Sequence, residues 1–140
     1  MMASLLDLTK ERDAHIDQRL HNDEVIWLNS VRPDSRPHAV VVWFLWDGES
    51  VLIFSKPKNQ KVRNIERNEN VLLSLDNTNN GADPITIEGT ATLLAPGTVD
   101  VTSATYLAKY AEGIKGIGST PEKMAAEYSQ AIRITPSKVI

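Results

Sequence analysis

The residues best able to do chemistry lie in one short run, Phe54–Asn64, which reads FSKPKNQKVRN. From Lys56 to Arg67 there are five cations (Lys56, Lys58, Lys61, Arg63, Arg67) and one acid, Glu66. That island carries 5 − 1 = +4 in a chain of net charge −3, so the remainder sums to −7. Pro57 bars a continued central strand, because it has no ladder N–H. A basic island beside a strand end suits a bound anion, and the free N–H groups of a helix starting there add to the field. The competing reading is a solvated helix face. Two features favour the anion: the local excess opposes the global sign, and the island follows directly on the apolar run Val51–Phe54.

The rest of the chemical inventory is thin. There are no cysteines, which excludes disulfides, thiolate nucleophiles and Cys-ligated metals. His15, His21 and His38 are not at metal-ligand spacing, so no metal site is expected. Nucleophile elbow, Walker loop and dinucleotide glycine fingerprint are all missing, and Asp83 and Glu88 do not form an acid pair. No side chain is expected to be catalytic by itself. An enzyme built from this chain needs a cofactor for its chemistry, with cations for a phosphate and an apolar slot for a ring.

The elements that must position these groups read as a small, mainly β domain spanning 1–140. A helix is expected over Thr9–His21, with Ile16 and Leu20 on its apolar stripe. Val25–Val31 reads as a strand and Arg32–Arg36 as a turn. His38–Trp46, HAVVVWFLW, is apolar on both faces and is expected to be buried on both. One face fills a barrel interior, and the other meets a partner subunit, a helix or a flat ligand. Asp47-Gly48 marks a hairpin returning as Ser50–Phe54. A short helix is expected over Gln60–Asn68 and a strand over Val71–Asp76; Asn77–Pro84 reads as a polar loop. Ile85–Leu94 alternates cleanly, and Gly89 in mid-strand signals a bulge or a close backbone approach. A helix over Val99–Glu112 is expected to break at Gly113, Gly116 and Gly118. Thr120-Pro121 opens another helix, and Ala131–Thr135 is the last strand. The sum is an antiparallel barrel of about six strands with helices over its ends.

Composition sets bounds. With 41% hydrophobic and 24% charged residues the chain resembles an ordinary soluble protein. Early charges in MMASLLDLTKERD argue against a secretory signal, and no apolar run approaches the ~20 residues of a membrane span. A cytoplasmic location is the simplest expectation. A pI near 5.6 argues against general nucleic-acid binding.

The pattern VRPDSRPHAVVVWFLWDGE, then FS, then KVRN followed by Ile65, then a strand ending in EGTA, resembles a known superfamily. It is that of the pyridoxamine 5′-phosphate oxidase-like split-barrel flavin and deazaflavin oxidoreductases, and within it the branch using the deazaflavin coenzyme F-420. The likeness is good over Glu24–Ala91 and looser beyond. It implies a split β-barrel of the FMN-binding type and a homodimer with two cofactor sites at its interface. The implied cofactor is F-420 or FMN, and the implied activity is hydride transfer with a small unsaturated or aromatic substrate. The alternatives are an FMN-dependent oxidase or reductase and a non-catalytic flavin or haem binder. Carried over by position, Ser55, Lys61, Arg63 and Asn64 match the family's phosphate-binding pattern, Lys61 most closely. The backbone of Val41, Val42 and Trp43 matches the strand that flanks the ring. Lys56 and Lys58 fall where the family's segment varies in length. The C-terminal Trp and Arg of pyridoxamine phosphate oxidases proper are missing before Ile140, which argues against that particular reaction.

Overall fold

The computed structural model describes residues 5–75 and 80–140. Helix α1 (Glu11–Asn22) starts two residues after Thr9, because the Thr9 hydroxyl turns back and donates to Asp7 Oδ1 at 2.6 Å instead of capping. Its Ile16 and Leu20 enter the core. Strands β1 (Val25–Val31) and β2 (Pro37–Trp43) follow, then β3 (Leu45–Trp46) and β4 (Val51–Ser55). The β3–β4 hairpin turns at Gly48, φ 95°, a left-handed conformation that suits glycine. Helix α2 (Gln60–Arg67), strands β5 (Asn70–Leu75) and β6 (Thr86–Leu93), helices α3 (Ala104–Gly116) and α4 (Pro121–Glu127), and strand β7 (Gln130–Val139) complete the chain. Part of the Asn77–Pro84 loop, with Asp76 of the expected fourth strand, lies outside the described residues.

All strands pair antiparallel, in the order β2-β1-β5-β6-β7-β4-β3. β2 and β3 therefore stand at opposite edges of one sheet while only Phe44 separates them in sequence. The sheet must curl until its edges meet, and β2 and β4 touch across the seam. This is the expected split barrel, with seven strands in place of six because the His38–Trp46 run breaks at Phe44.

The cause of the break lies on α3. The Tyr110 hydroxyl accepts from the Phe44 N–H at 2.9 Å and lies 2.7 Å from the Phe44 carbonyl and 2.6 Å from that of Glu24. Lys109 donates to the same Phe44 carbonyl at 3.0 Å, with its ammonium 4.0 Å from the Phe44 ring centre. Burial pushes the Lys109 amine down to about 8, against the pull of Asp23 and Glu24. Two side chains thus replace the neighbouring strand that Phe44 lacks, as the near-complete pairing of buried backbone groups requires.

The barrel interior is filled by Ile26, Leu28, Ile53, Leu73, Ile87 and Ile134 with their neighbours. A second cluster, outside the barrel wall, joins Leu52 and Phe54 to Tyr106, Tyr110, Ile114 and Met124. The strand covered on both faces within the chain is therefore β4, buried at all five positions, and not β2. On β2, Val40 and Val42 pack on the core while Val41 is 47% exposed. Helices α3 and α4 cover the β4 side and pack on Trp43 of β2, while Val41 on the outer face stays exposed.

Two expectations are met with more detail. Gly89 does sit at a bulge: Glu88 pairs with Lys138 and Gly89 with Pro136, leaving Ser137 over. A Cβ on Gly89 would stand 2.8 Å from the Thr135 carbonyl oxygen. The bulge also explains why β7 runs on past Thr135, since Pro136 occupies an irregular ladder position. Helix α4 starts at Pro121, as expected, with Thr120 Oγ1 accepting from the Lys123 N–H.

Removing the Tyr110 hydroxyl leaves the Phe44 N–H buried without a partner. Tyr110→Phe should lower unfolding free energy by about 1–3 kcal/mol, measured as a shift of the urea midpoint. A loss below about 0.5 kcal/mol, less than one typical hydrogen bond, would mean that the seam is held by packing alone.

Candidate functional site

Strand β2, the end of β4 and the N-terminus of α2 meet α3 and α4 around a pocket of about 250 Å³. Val25, Val41, Val42 and Trp43 line one side. Phe54, Tyr106, Met124, Tyr128 and Ile117 line the others, and Lys61 is the cation among them.

The wall at Trp43 is built by close packing. Its indole stacks on Tyr110 with centroids 4.8 Å apart and planes 5° apart. One turn further along α3, a Cβ on Gly113 would meet the indole edge at 3.2 Å. Gly113 thus lies inside α3 and does not break it, and its bare Cα lets the indole lie flat on the helix. Tyr106 continues the aromatic layer, tilted on Tyr110 at 4.8 Å and edge-on to Phe54 at 4.9 Å.

The electrostatics centre on Lys61. It stands on the first turn of α2, whose N-cap Asn59 makes no side-chain cap bond. Its amine has no hydrogen bond or ion pair among the described residues. Burial lowers its pKa from the ordinary lysine value. A half-buried, unpaired ammonium is costly on its own and gains from an anion placed beside it.

The residues carried over from the resemblance separate into two groups. Val41, Val42, Trp43 and Lys61 are brought together on the pocket. Ser55 is 0% exposed, and its hydroxyl donates to the Lys56 carbonyl at 2.9 Å. Asn64 is also 0% exposed; its amide donates to Ser30 Oγ at 3.0 Å and accepts from Gln60 Nε2 at 2.7 Å. Arg63 is exposed and donates to Gln60 Oε1 at 2.8 Å. Asn64 therefore ties α2 to β1, which fixes where Lys61 stands. Lys56 and Lys58 are exposed, and the Lys56 ammonium lies 5.7 Å from the Tyr128 ring centre. Sequence reasoning missed the helical wall: Tyr106, Ile117, Met124 and Tyr128. The i, i+4 spacing of Tyr106 and Tyr110 marks one helix face, but no sequence signal says which strand that face covers.

Among the described residues no group of His, Asp and Glu is arranged to hold a metal ion, and no helix is long and apolar enough to cross a membrane.

Residues 13–140 match the family described as pyridoxamine 5′-phosphate oxidase. The chain belongs to that family. None of the curated proteins matches it. Among solved structures, an F-420 reductase is similar at 27% identity and TM-score 0.70, over 89% of this chain and 94% of that one. A candidate pyridoxamine 5′-phosphate oxidase of Listeria innocua is 24% identical with TM-score 0.67, over 94% and 97% of the two chains. The heme storage protein HutZ of Vibrio cholerae is 14% identical with TM-score 0.65, over 94% of each. The last two show the fold alone.

Alanine in a helix interior is favoured over glycine by about 1 kcal/mol. Gly116→Ala, at the last residue of α3 where a Cβ would meet nothing within 4 Å, should stabilise the protein by part of that amount. Gly113→Ala should stabilise less, or destabilise, and should change the near-ultraviolet circular dichroism of the Trp43–Tyr110 stack. Equal gains with an unchanged spectrum would show that Gly113 does not position Trp43.

Proposed function

We propose that the chain is a coenzyme-dependent oxidoreductase that holds F-420 or FMN in this pocket. The observation that carries the reading is the unpaired, half-buried Lys61 amine at the edge of an apolar, aromatic-walled slot along Val41–Trp43. The residues fit such a group: a flat apolar wall for a ring and a fixed cation for a phosphate, beside the uncapped N-terminus of α2. The 27% identity with an F-420 reductase over most of both chains favours the deazaflavin, and FMN is the alternative. When bound, such a coenzyme supplies hydride transfer with a small unsaturated or aromatic substrate. The chain's part is to bind, orient and exclude water. Lys61 takes the phosphate, while Arg63, exposed and bonded to Gln60, stands outside the pocket lining. Ser55 and Asn64 set the loop and helix that carry them. Val41–Trp43 present main-chain groups to the ring edge.

The same reading includes a second copy of the chain. Trp27 and Val41 lie directly opposite each other in the β1–β2 register, on the outer face, and are 40% and 47% exposed. A pocket of about 250 Å³ is also small beside the roughly 300–1,000 Å³ of most small-molecule sites. A two-fold partner laid on that face would cover the apolar pair and complete the slot. Sedimentation equilibrium at micromolar concentration should give twice the 15.5 kDa of one chain. A stable species of one chain's mass would contradict this part of the reading.

The phosphate contact is tested at Lys61. A charged hydrogen bond contributes about 1.5–3 kcal/mol, so Lys61→Ala should weaken FMN binding roughly ten- to a hundredfold. Riboflavin, which has no phosphate, should bind both proteins almost equally. Lys58→Ala should matter less and Lys10→Ala not at all. Because burial lowers the Lys61 pKa, the phosphate-dependent part of the affinity should fade with rising pH sooner than for an ordinary lysine. Isothermal titration reads all four proteins. An FMN affinity within about twofold of wild type in Lys61→Ala, under ~0.4 kcal/mol, would move the anion site elsewhere.

A further inference from the structure

An isolated helix shorter than about 12–15 residues is marginal in water, and α4 has only 7. Its packing must hold it. Met124 is the buried residue of α4, at 7% exposed, with Ala125 and Tyr128 partly buried beside it. The Met124 side chain joins Leu52, Phe54, Tyr106, Tyr110 and Ile114 in the cluster outside the barrel wall. It also lines the pocket, so a small solute entering there meets it. The chain has no cysteine, and its sulfur lies in Met1, Met2 and Met124 alone. One thioether therefore anchors a short helix and faces an open cavity.

We propose that Met124 is an oxidation site: hydrogen peroxide entering the pocket converts its thioether to the sulfoxide, and the sulfoxide releases α4 from the pocket wall. A sulfur lone pair attacks one peroxide oxygen, the O–O bond breaks and an S–O bond forms. The transferred oxygen gives its hydrogen to the departing one, which leaves as water. Sulfur is oxidised by two electrons and the peroxide is reduced by the same two. The product is polar and chiral where a flexible apolar chain stood. It is also larger, in a cluster of aliphatic side chains and aromatic rings. Water solvates such a group better than that cluster does. Because Met124 is what α4 buries, moving this side chain out moves the helix. Tyr128 then leaves the pocket wall, and the contact of the Lys56 ammonium with its ring is lost. Methionine sulfoxide reductases reverse the chemistry, and a released α4 gives them access. None of this requires a coenzyme in the pocket.

The test exposes the full chain to hydrogen peroxide without denaturant. Peptide mass spectrometry follows the sulfoxide at each methionine, and amide hydrogen exchange over α4 is read on the same samples. Wild type should take up one oxygen at Met124. Exchange over α4 should then speed up by about tenfold or more, as easier local opening requires, while exchange in β4 stays slow. Methionine sulfoxide reductases should restore the slow exchange of α4. Met124→Leu keeps an apolar chain of similar volume, and its α4 should exchange slowly with and without peroxide. Met124→Gln places a polar group there without oxidation and should exchange fast from the start. The proposal is overturned if Met124 stays reduced while Met1 and Met2 are oxidised, or if Met124→Leu responds to peroxide as wild type does. It is equally overturned if oxidation at Met124 leaves α4 exchange within about twofold of its starting rate. Should Met124→Gln fail to fold, wild type and Met124→Leu still decide.

Discussion

The structure depends on how the chain crosses Phe44. A sheet whose two edge strands are consecutive in sequence can exist only as a closed curl, and closure leaves one residue at the seam without a strand partner. Tyr110 supplies that partner with a single hydroxyl, and Lys109 adds a second bond to the Phe44 carbonyl. The same Tyr110 ring stacks flat on Trp43. One side chain therefore closes the barrel and sets the indole that walls the pocket. Seam and site are one mechanical unit, and α3 carries both.

The site's electrostatics follow from a second positional constraint. The buried Asn64 amide fixes α2 against β1 through Ser30, which holds Lys61 at the pocket edge. An ammonium held there loses water without gaining a partner, and its lowered pKa is the signature of that loss. The exposed cations of the same island carry no such penalty and have no comparable claim on an anion. The formal charge of the island therefore says less than the burial of one of its members.

Much of this was legible in the sequence where the signal is local. Asp47-Gly48 turns a hairpin, Thr120-Pro121 starts a helix, and Gly89 sits at a bulge, each because backbone geometry restricts the residue type. Lys61 stood out in the basic island, the Val41–Trp43 run came from the family resemblance, and the fold brings them onto one pocket. What was not legible is set by distant contacts. Nothing in HAVVVWFLW marks Phe44 as the break, since the apolar alternation runs straight through it. Gly113 reads as a helix breaker until the indole against it is known. The doubly covered strand proved to be β4, because the placement of α3 and α4 decides burial and no local pattern encodes it. Tyr106 and Tyr110 look alike in sequence, and only the fold shows which hydroxyl closes the seam.

The central claim is that a planar coenzyme lies against Trp43 in this pocket. The chain has three tryptophans, each giving one indole N–H signal in a nitrogen-15 NMR spectrum. Trp43 lines the pocket, Trp46 is buried with its indole N–H donating to Asp17 at 2.9 Å, and Trp27 stands on the open outer face. On titration with FMN or F-420 the Trp43 signal should move and saturate while the Trp46 signal stays in place. Saturable binding that leaves the Trp43 signal unmoved would contradict the account.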